Sequence, residues 1–304
     1  MKNNYDKRHL PFGHSTAIQD KETLSFINNC SISTQTLNDQ TINEQFLSKY
    51  VEWILTTTNN KVTGIDQYPF KCFSQGTSEA FEKFYMNYSH RRFRCFKGEY
   101  VYHKLAWRDD RFNWKYLEDD ALDANDVVII SQPFSDTGDQ HPLLNDILDQ
   151  CDKLNIPVVL DCCYFGICSN INFDFTRPCI KEIIFSLSKT FPVAHIRIGM
   201  RLSRIDNDDL LFVYNKSGYT NRLAASIGLN LINHFDSDYI VNKYKNKQIE
   251  ICKKLNVTPS NTVLFGIGGS EWQEYNRDRA TNRLGLHNFL HMEDTECLDE
   301  YVKI

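Results

Sequence analysis

The sequence predicts an α/β fold in which a mainly parallel sheet is flanked by helices, with a smaller α+β domain toward the C-terminal end. Three observations carry that expectation. Apolar runs of strand length, Val127-Val128-Ile129-Ile130, Val158-Val159-Leu160 and Ile183-Ile184-Phe185, alternate with helical patterns from Phe70 onward. The run ending at Asp161 is wholly apolar up to its acid, as a strand covered on both faces should be. Finally, the Ser74 to Ser78 turn, Asp161 and Lys189 all follow such runs, and ligands of doubly wound sheets gather at the carboxyl ends of strands.

Residues 1 to about 65 are polar and weakly patterned, and Leu47, Val51, Trp53, Ile54 and Leu55 mark one amphipathic helix. The segment reads as an arm and helix packed on the main body. Next come a strand at Lys71-Cys72-Phe73, a turn of small residues from Ser74 to Ser78, and a helix with apolar positions Ala80, Phe81, Phe84, Tyr85 and Tyr88. This order presents backbone N–H groups and hydroxyls at a helix start, where an anion is favoured. Asp126 to Ser131 is a further strand, Gln132 to Gly138 a turn, and Leu143, Leu144, Ile147, Leu148, Cys151 and Leu154 the buried face of a helix. Beyond Arg204 a helical pattern runs through Leu223, Ala224, Ile227, Leu231 and Ile232. A polar helix at about Ser237 to Leu255 then leads to strands at Val263-Leu264-Phe265 and Arg283-Leu284-Gly285-Leu286. Gly266-Ile267-Gly268-Gly269 does not complete a dinucleotide fingerprint and is read as a turn. The expected division is an arm and helix over 1–65, a large domain over 66–210 and linking helices with a small domain over 211–304.

Composition removes several function classes. A net charge of -5 and a pI near 6.0 argue against a binder of nucleic-acid backbones, and the one basic cluster, His90-Arg91-Arg92-Phe93-Arg94, reads as a solvated helix end or loop. The longest apolar runs are far too short for a membrane span. Ten cysteines without a Cys-x-x-Cys pair, behind an N-terminus lacking a signal-peptide stretch, point to a reducing cytoplasm. Cys162, Cys163 and Cys168 could be thiolate ligands, but adjacent cysteines chelate poorly and no His/Cys pair stands at zinc spacing; no metal site is expected.

The chemistry is concentrated in Ser186-Leu187-Ser188-Lys189, followed eight residues later by Arg197, with Asp161 and Tyr164 upstream. A lysine at the end of a buried strand, near other cations, has a lowered proton affinity and can act as a nucleophilic amine. Together with the small-residue turn, the order of these residues resembles the fold-type I pyridoxal-phosphate enzymes, most closely the class I/II aminotransferases, over about Phe70 to Arg204.

That resemblance implies pyridoxal 5'-phosphate as cofactor, held on Lys189 as a Schiff base. Asp161 would then pair with the pyridine nitrogen and Tyr164 with the phenolic oxygen, while Ser186, Arg197, Gly76, Thr77 and Ser78 would hold the phosphate. Tyr102, with Tyr100 second, would stack on the ring. Ser135 stands where these enzymes often have an asparagine. Arg283, with Arg277 and Arg279 as alternatives, would bind the substrate carboxylate. The implied activity is transamination between an amino acid and an oxo acid in a homodimer. The alternatives are a lyase, cyclase, decarboxylase or epimerase on the same cofactor, and a non-catalytic protein that kept the site.

Overall fold

The structure is a computed structural model that describes residues 9–31, 33–108, 112–276, 281–292 and 296–302. Its centre is a seven-stranded sheet. The strands are β1 (Phe70–Ser74), β2 (Arg92–Cys95), β3 (Trp114–Tyr116), β4 (Asp126–Ser131), β5 (Val158–Asp161), β6 (Ile180–Ser186) and β7 (Gly199–Ser203), in the order β1-β7-β6-β5-β4-β2-β3. β7 runs antiparallel to both neighbours and every other pairing is parallel. The carboxyl ends of β1, β4, β5 and β6 therefore lie on one edge, where β7 begins. In-register partners there are Ser74 with Gly199, Ser131 with Asp161, and Ser186 with Gly199.

The strand residues alternate between two cores. Val128, Ile130, Val158, Leu160, Ile183 and Phe185 join one with the helices Ile42–Leu55 and Arg222–His234; Val127, Ile129, Val159 and Ile184 join the other with Ala80, Phe81, Phe84 and Tyr85 of helix Gly76–Asn87. Each aliphatic side chain fully buried this way contributes roughly 1.5–3 kcal/mol, so the sheet that carries the site is rigid. A third core joins helix Tyr239–Lys254 to an antiparallel sheet of Thr258–Pro259, Phe265–Gly268 and Asn282–Gly285, together with Phe12 and Ile18 of the arm.

Several local expectations change. The basic cluster is not a solvated loop: Arg92–Cys95 is β2, Arg94 is fully buried, and Asp126 accepts from both Arg92 and Arg94 at 2.6 Å. Its acids lie 26 to 34 residues further along the chain, so local charge could not reveal them. The Gly266 to Gly269 stretch is mostly strand, with Gly266 opposite Leu284 and Gly268 opposite Asn282. Glycine is needed because a Cβ on Gly268 would lie 2.4 Å from the Trp272 ring. Val263 and Leu264 precede that strand as a buried turn, and the following strand ends at Gly285 instead of Leu286. The N-terminal segment holds the helices Lys21–Asn28 and Thr34–Asn38 besides Ile42–Leu55, whose buried face is Ile42, Phe46, Leu47, Tyr50, Trp53 and Ile54; Leu55 is exposed. No helix among the described residues is long and apolar enough to cross a membrane.

Candidate active site

A cavity of about 250 Å³ opens at the carboxyl edge of the sheet. Of the residues selected from the sequence, Thr77, Ser78, Ser135, Asp161, Tyr164, Ser186, Lys189, Arg197 and Arg283 line it.

One wall is built where β1 turns into helix Gly76–Asn87. Gly76 has φ +72°, which places the N–H groups of the first turn, without intrahelical acceptors, at the cavity side where Thr77 and Ser78 stand. The Arg197 guanidinium lies against this turn, donating to Ser78 Oγ at 3.2 Å and to the Ala194 carbonyl at 3.2 Å. Arg197 itself has φ +67°, which swings its side chain back over the helix start. Ser186 closes the wall from the end of β6, its hydroxyl within hydrogen-bonding distance of the Ile198 carbonyl and of Ser188 Oγ, at 3.0 and 2.9 Å. Helix N–H groups, hydroxyls and a guanidinium converging on one place make an anion cradle.

At the opposite side Asp161 ends β5, 3% exposed, and its Oδ1 accepts from the Cys163 N–H at 3.1 Å. Burial, reinforced by the nearby Glu99 carboxylate, pushes Asp161 up to about 7, while the Cys163 hydrogen bonds and Lys189 pull it down. Lys189 follows β6 and donates from Nζ to the Ser15 carbonyl at 2.6 Å. Tyr164 packs edge-on against Phe265, with ring centroids 5.4 Å apart. Phe265 also supports Arg283, whose guanidinium lies 4.3 Å above the ring centroid. Arg283 is 4% exposed and donates to the Ser135 carbonyl, tying the small sheet to the turn after β4.

Tyr102 is not in the cavity wall. After β2 the chain turns and forms helix Val101–Ala106, so Tyr102 faces outward and donates to Glu82, while Tyr100, just before the helix, lines the cavity. Gly76 shapes the cradle through its backbone conformation. Arg277 and Arg279 lie outside the described residues.

The sequence points to the N-terminal arm only as a possible donor of residues to a neighbouring subunit's site and singles out none of its residues for this cavity. His14, Ser15 and Thr16 line the cavity, fixed by Gly285 N–H donating to the Phe12 carbonyl at 2.8 Å and by Phe12 inserted among Trp272, Tyr275 and Phe289. Nothing periodic marks that stretch. Cys163, Ser131 and Ser188 also line the cavity, and each is adjacent in sequence or sheet register to a residue already singled out. His287 sits behind His14, ring centroids 4.9 Å apart; burial, with His14 and Lys189 nearby, pushes it down to about 4.

No protein-family model matches the chain, and no curated protein matches it. Solved structures do. A probable N-succinyldiaminopimelate aminotransferase from Thermus thermophilus superposes with a TM-score of 0.66 at 13% identity, covering 90% of this chain and 89% of that one. A pyridoxal-phosphate-bound C-S lyase from Staphylococcus hominis gives 0.61 at 12% identity over 87% and 80% of the two chains. An L-threonine-O-3-phosphate decarboxylase from Porphyromonas gingivalis gives 0.61 at 12% over 86% and 83%. The chain has the fold-type I architecture of pyridoxal-phosphate transferases, as its motif order implied.

Proposed function

We propose that the chain is a pyridoxal-phosphate-dependent enzyme acting on an α-amino acid, and that the reaction is transamination. The observation that carries this reading is the convergence of Lys189, Asp161 and the Thr77–Ser78–Arg197 cradle on one cavity, with Arg283 facing it from the small sheet. The residues fit the cofactor chemically. The cradle suits a phosphate, and the buried acid, directly across the sheet from Ser131, suits a protonated ring nitrogen.

Pyridoxal phosphate, when bound, supplies a carbonyl for an amine and a ring that accepts the electron pair of a bond broken at the substrate α-carbon. Thr77, Ser78, Ser186 and Arg197 would anchor its phosphate. Asp161 would hold the proton at the ring nitrogen, and Tyr164 would donate to the ring oxygen. The Tyr100 ring would cover one face. Lys189 provides the amine for attachment and, once displaced, the base that moves a proton from the α-carbon. Arg283 would grip the α-carboxylate with its planar fork, while the arm at Ser15 shields the lysine from water.

The structures that share this fold include an aminotransferase, a lyase and a decarboxylase, so the fold alone does not fix the reaction. Incubation with a panel of amino acids tests the reading. Transamination gives the pyridoxamine form and an equivalent of oxo acid. Release of an elimination product or of carbon dioxide, with the aldehyde form restored, contradicts it in favour of a lyase or decarboxylase.

A homodimer is part of the proposal. Leu210, Val213, Tyr214, Tyr219 and Leu223 expose apolar surface on consecutive elements, Tyr219 at 81%. Sedimentation of an active, strictly monomeric species would reject the dimer.

A further inference from the structure

A second buried carboxylate stands beside Asp161. Glu99, 3% exposed, lies in the turn between β2 and helix Val101–Ala106. It accepts from the Ser131 N–H at 2.8 Å, from the Ser131 hydroxyl, and from the Tyr100 N–H at 2.8 Å. Three donors on one carboxylate fix its position. Ser131 is the in-register partner of Asp161 across β4 and β5, and the Gln132 N–H donates to the Asp161 carbonyl at 2.9 Å, so Glu99 is anchored on the strand adjoining Asp161. Tyr100 and Ser131, both held by Glu99, also line the cavity.

We propose that Glu99 is a positioning residue of this site, a second carboxylate anchored on the strand next to Asp161 that acts on it through its charge while locking Ser131 and Tyr100 in the cavity wall. This rests on Asp161 being the group that faces the cofactor ring nitrogen and goes beyond that assignment by naming what sets its proton affinity.

The groups that act on Asp161 come from each element packed around it. Glu99 raises its proton affinity from the turn after β2, adding to burial, while Cys163 from its own turn and Lys189 from the turn after β6 lower it. Cys162, Tyr85 and Tyr100 feel its charge and stay neutral as thiol and phenols at ordinary pH, since each is pushed up from its usual value. Glu99 is therefore the group that, besides burial, favours the protonated acid. When a protonated ring nitrogen takes the place of that acidic proton, the same charge stabilises the ring proton to higher pH. A site built this way keeps its ring-nitrogen proton with two carboxylates instead of one.

The test is a carbon-13 carboxyl titration of Asp161 in cofactor-free protein, with the resonance assigned through Asp161→Asn. In the wild type the midpoint lies near neutrality. Glu99→Gln, which preserves shape and an acceptor but removes the charge, lowers it by about one pH unit, the scale of a close like charge. Glu99→Asp, which keeps the charge, retains most of the elevation; a purely structural role would leave the midpoint of both variants where it was. An unchanged midpoint in Glu99→Gln overturns the proposal. If Glu99→Gln does not fold, Glu99→Ser carries the test, because it removes the same charge with a small polar residue; an unchanged Asp161 midpoint there overturns the proposal equally. The titration needs no cofactor, so a protein that fails to bind pyridoxal phosphate would defeat the functional reading and leave this result standing.

Discussion

Gly76 and Arg197 are packed so closely that no side chain fits between them: a Cβ on Gly76 would lie 2.5 Å from a guanidinium nitrogen of Arg197. The contact joins the turn after β1 to the turn before β7, the two halves of the anion cradle. Gly76→Ala would have to displace the guanidinium and would adopt φ +72° at a cost of about 1–3 kcal/mol. Pyridoxal-phosphate affinity in Gly76→Ala should fall about tenfold or more, the equivalent of losing one charge-assisted contact. Fluorescence titration measures it, and an unchanged affinity would remove this turn from the phosphate site.

Asp161 carries a stability signature that can be read without any cofactor. Its proton affinity in the fold, about 7, is above the ordinary 3.8, so the folded state binds the proton more tightly than the unfolded chain. Stability on this account is fully present at low pH, falls as pH rises between these two values, and stays reduced above them. Cofactor-free Asp161→Asn should therefore be more stable than the wild type near pH 8, by about 2–4 kcal/mol, with the gap closing toward pH 4. The loaded variant should nevertheless lose α-proton removal, since an amide supplies no charge to the ring nitrogen. Urea unfolding across pH checks the first point and single-turnover exchange the second.

The two tyrosines after Gly98 give a clean contrast. Tyr100 faces the cavity, while Tyr102 is turned toward Glu82. Tyr100→Ala should weaken cofactor binding several-fold, as expected for a ring contact of about 1 kcal/mol, and Tyr102→Ala should leave it nearly unchanged. The reverse order in a binding titration would restore Tyr102 as the stacking ring.

Arg283→Lys tests the substrate side. The guanidinium presently uses one edge on the Ser135 carbonyl and its face on Phe265. A lysine keeps the charge but not the fork, so KM for amino acids should rise about tenfold with cofactor affinity intact. The corresponding decarboxylated amines should be indifferent to the change. An equal effect on both substrate classes would move the carboxylate role to another residue.

What could be read from the chain alone follows from how local each signal is. β4 and β5 announced themselves because a strand buried on both faces must be apolar, and Asp161 was visible as the polar residue ending such a run. Ser186, Lys189 and Arg197 form a short spaced motif, so their meeting in one cavity was foreseeable. Arg94 was misplaced because its partner Asp126 is on the next strand of the sheet. Tyr102 and Tyr100 differ only in which precedes a helix start, a distinction that an aromatic-rich stretch of alternating pattern does not make. The place of Ser15 in the site was not legible, because it contributes a backbone carbonyl, and backbone atoms leave no mark on composition.

The central claim is that Lys189 is the amine that bears the cofactor. Protein reconstituted with pyridoxal phosphate should be reduced with borohydride, digested and mapped by mass spectrometry. The account predicts one phosphopyridoxyl group per chain, on the peptide carrying Lys189, and none after Lys189→Ala. A label on a different lysine, or no retained cofactor in the wild type, would contradict it.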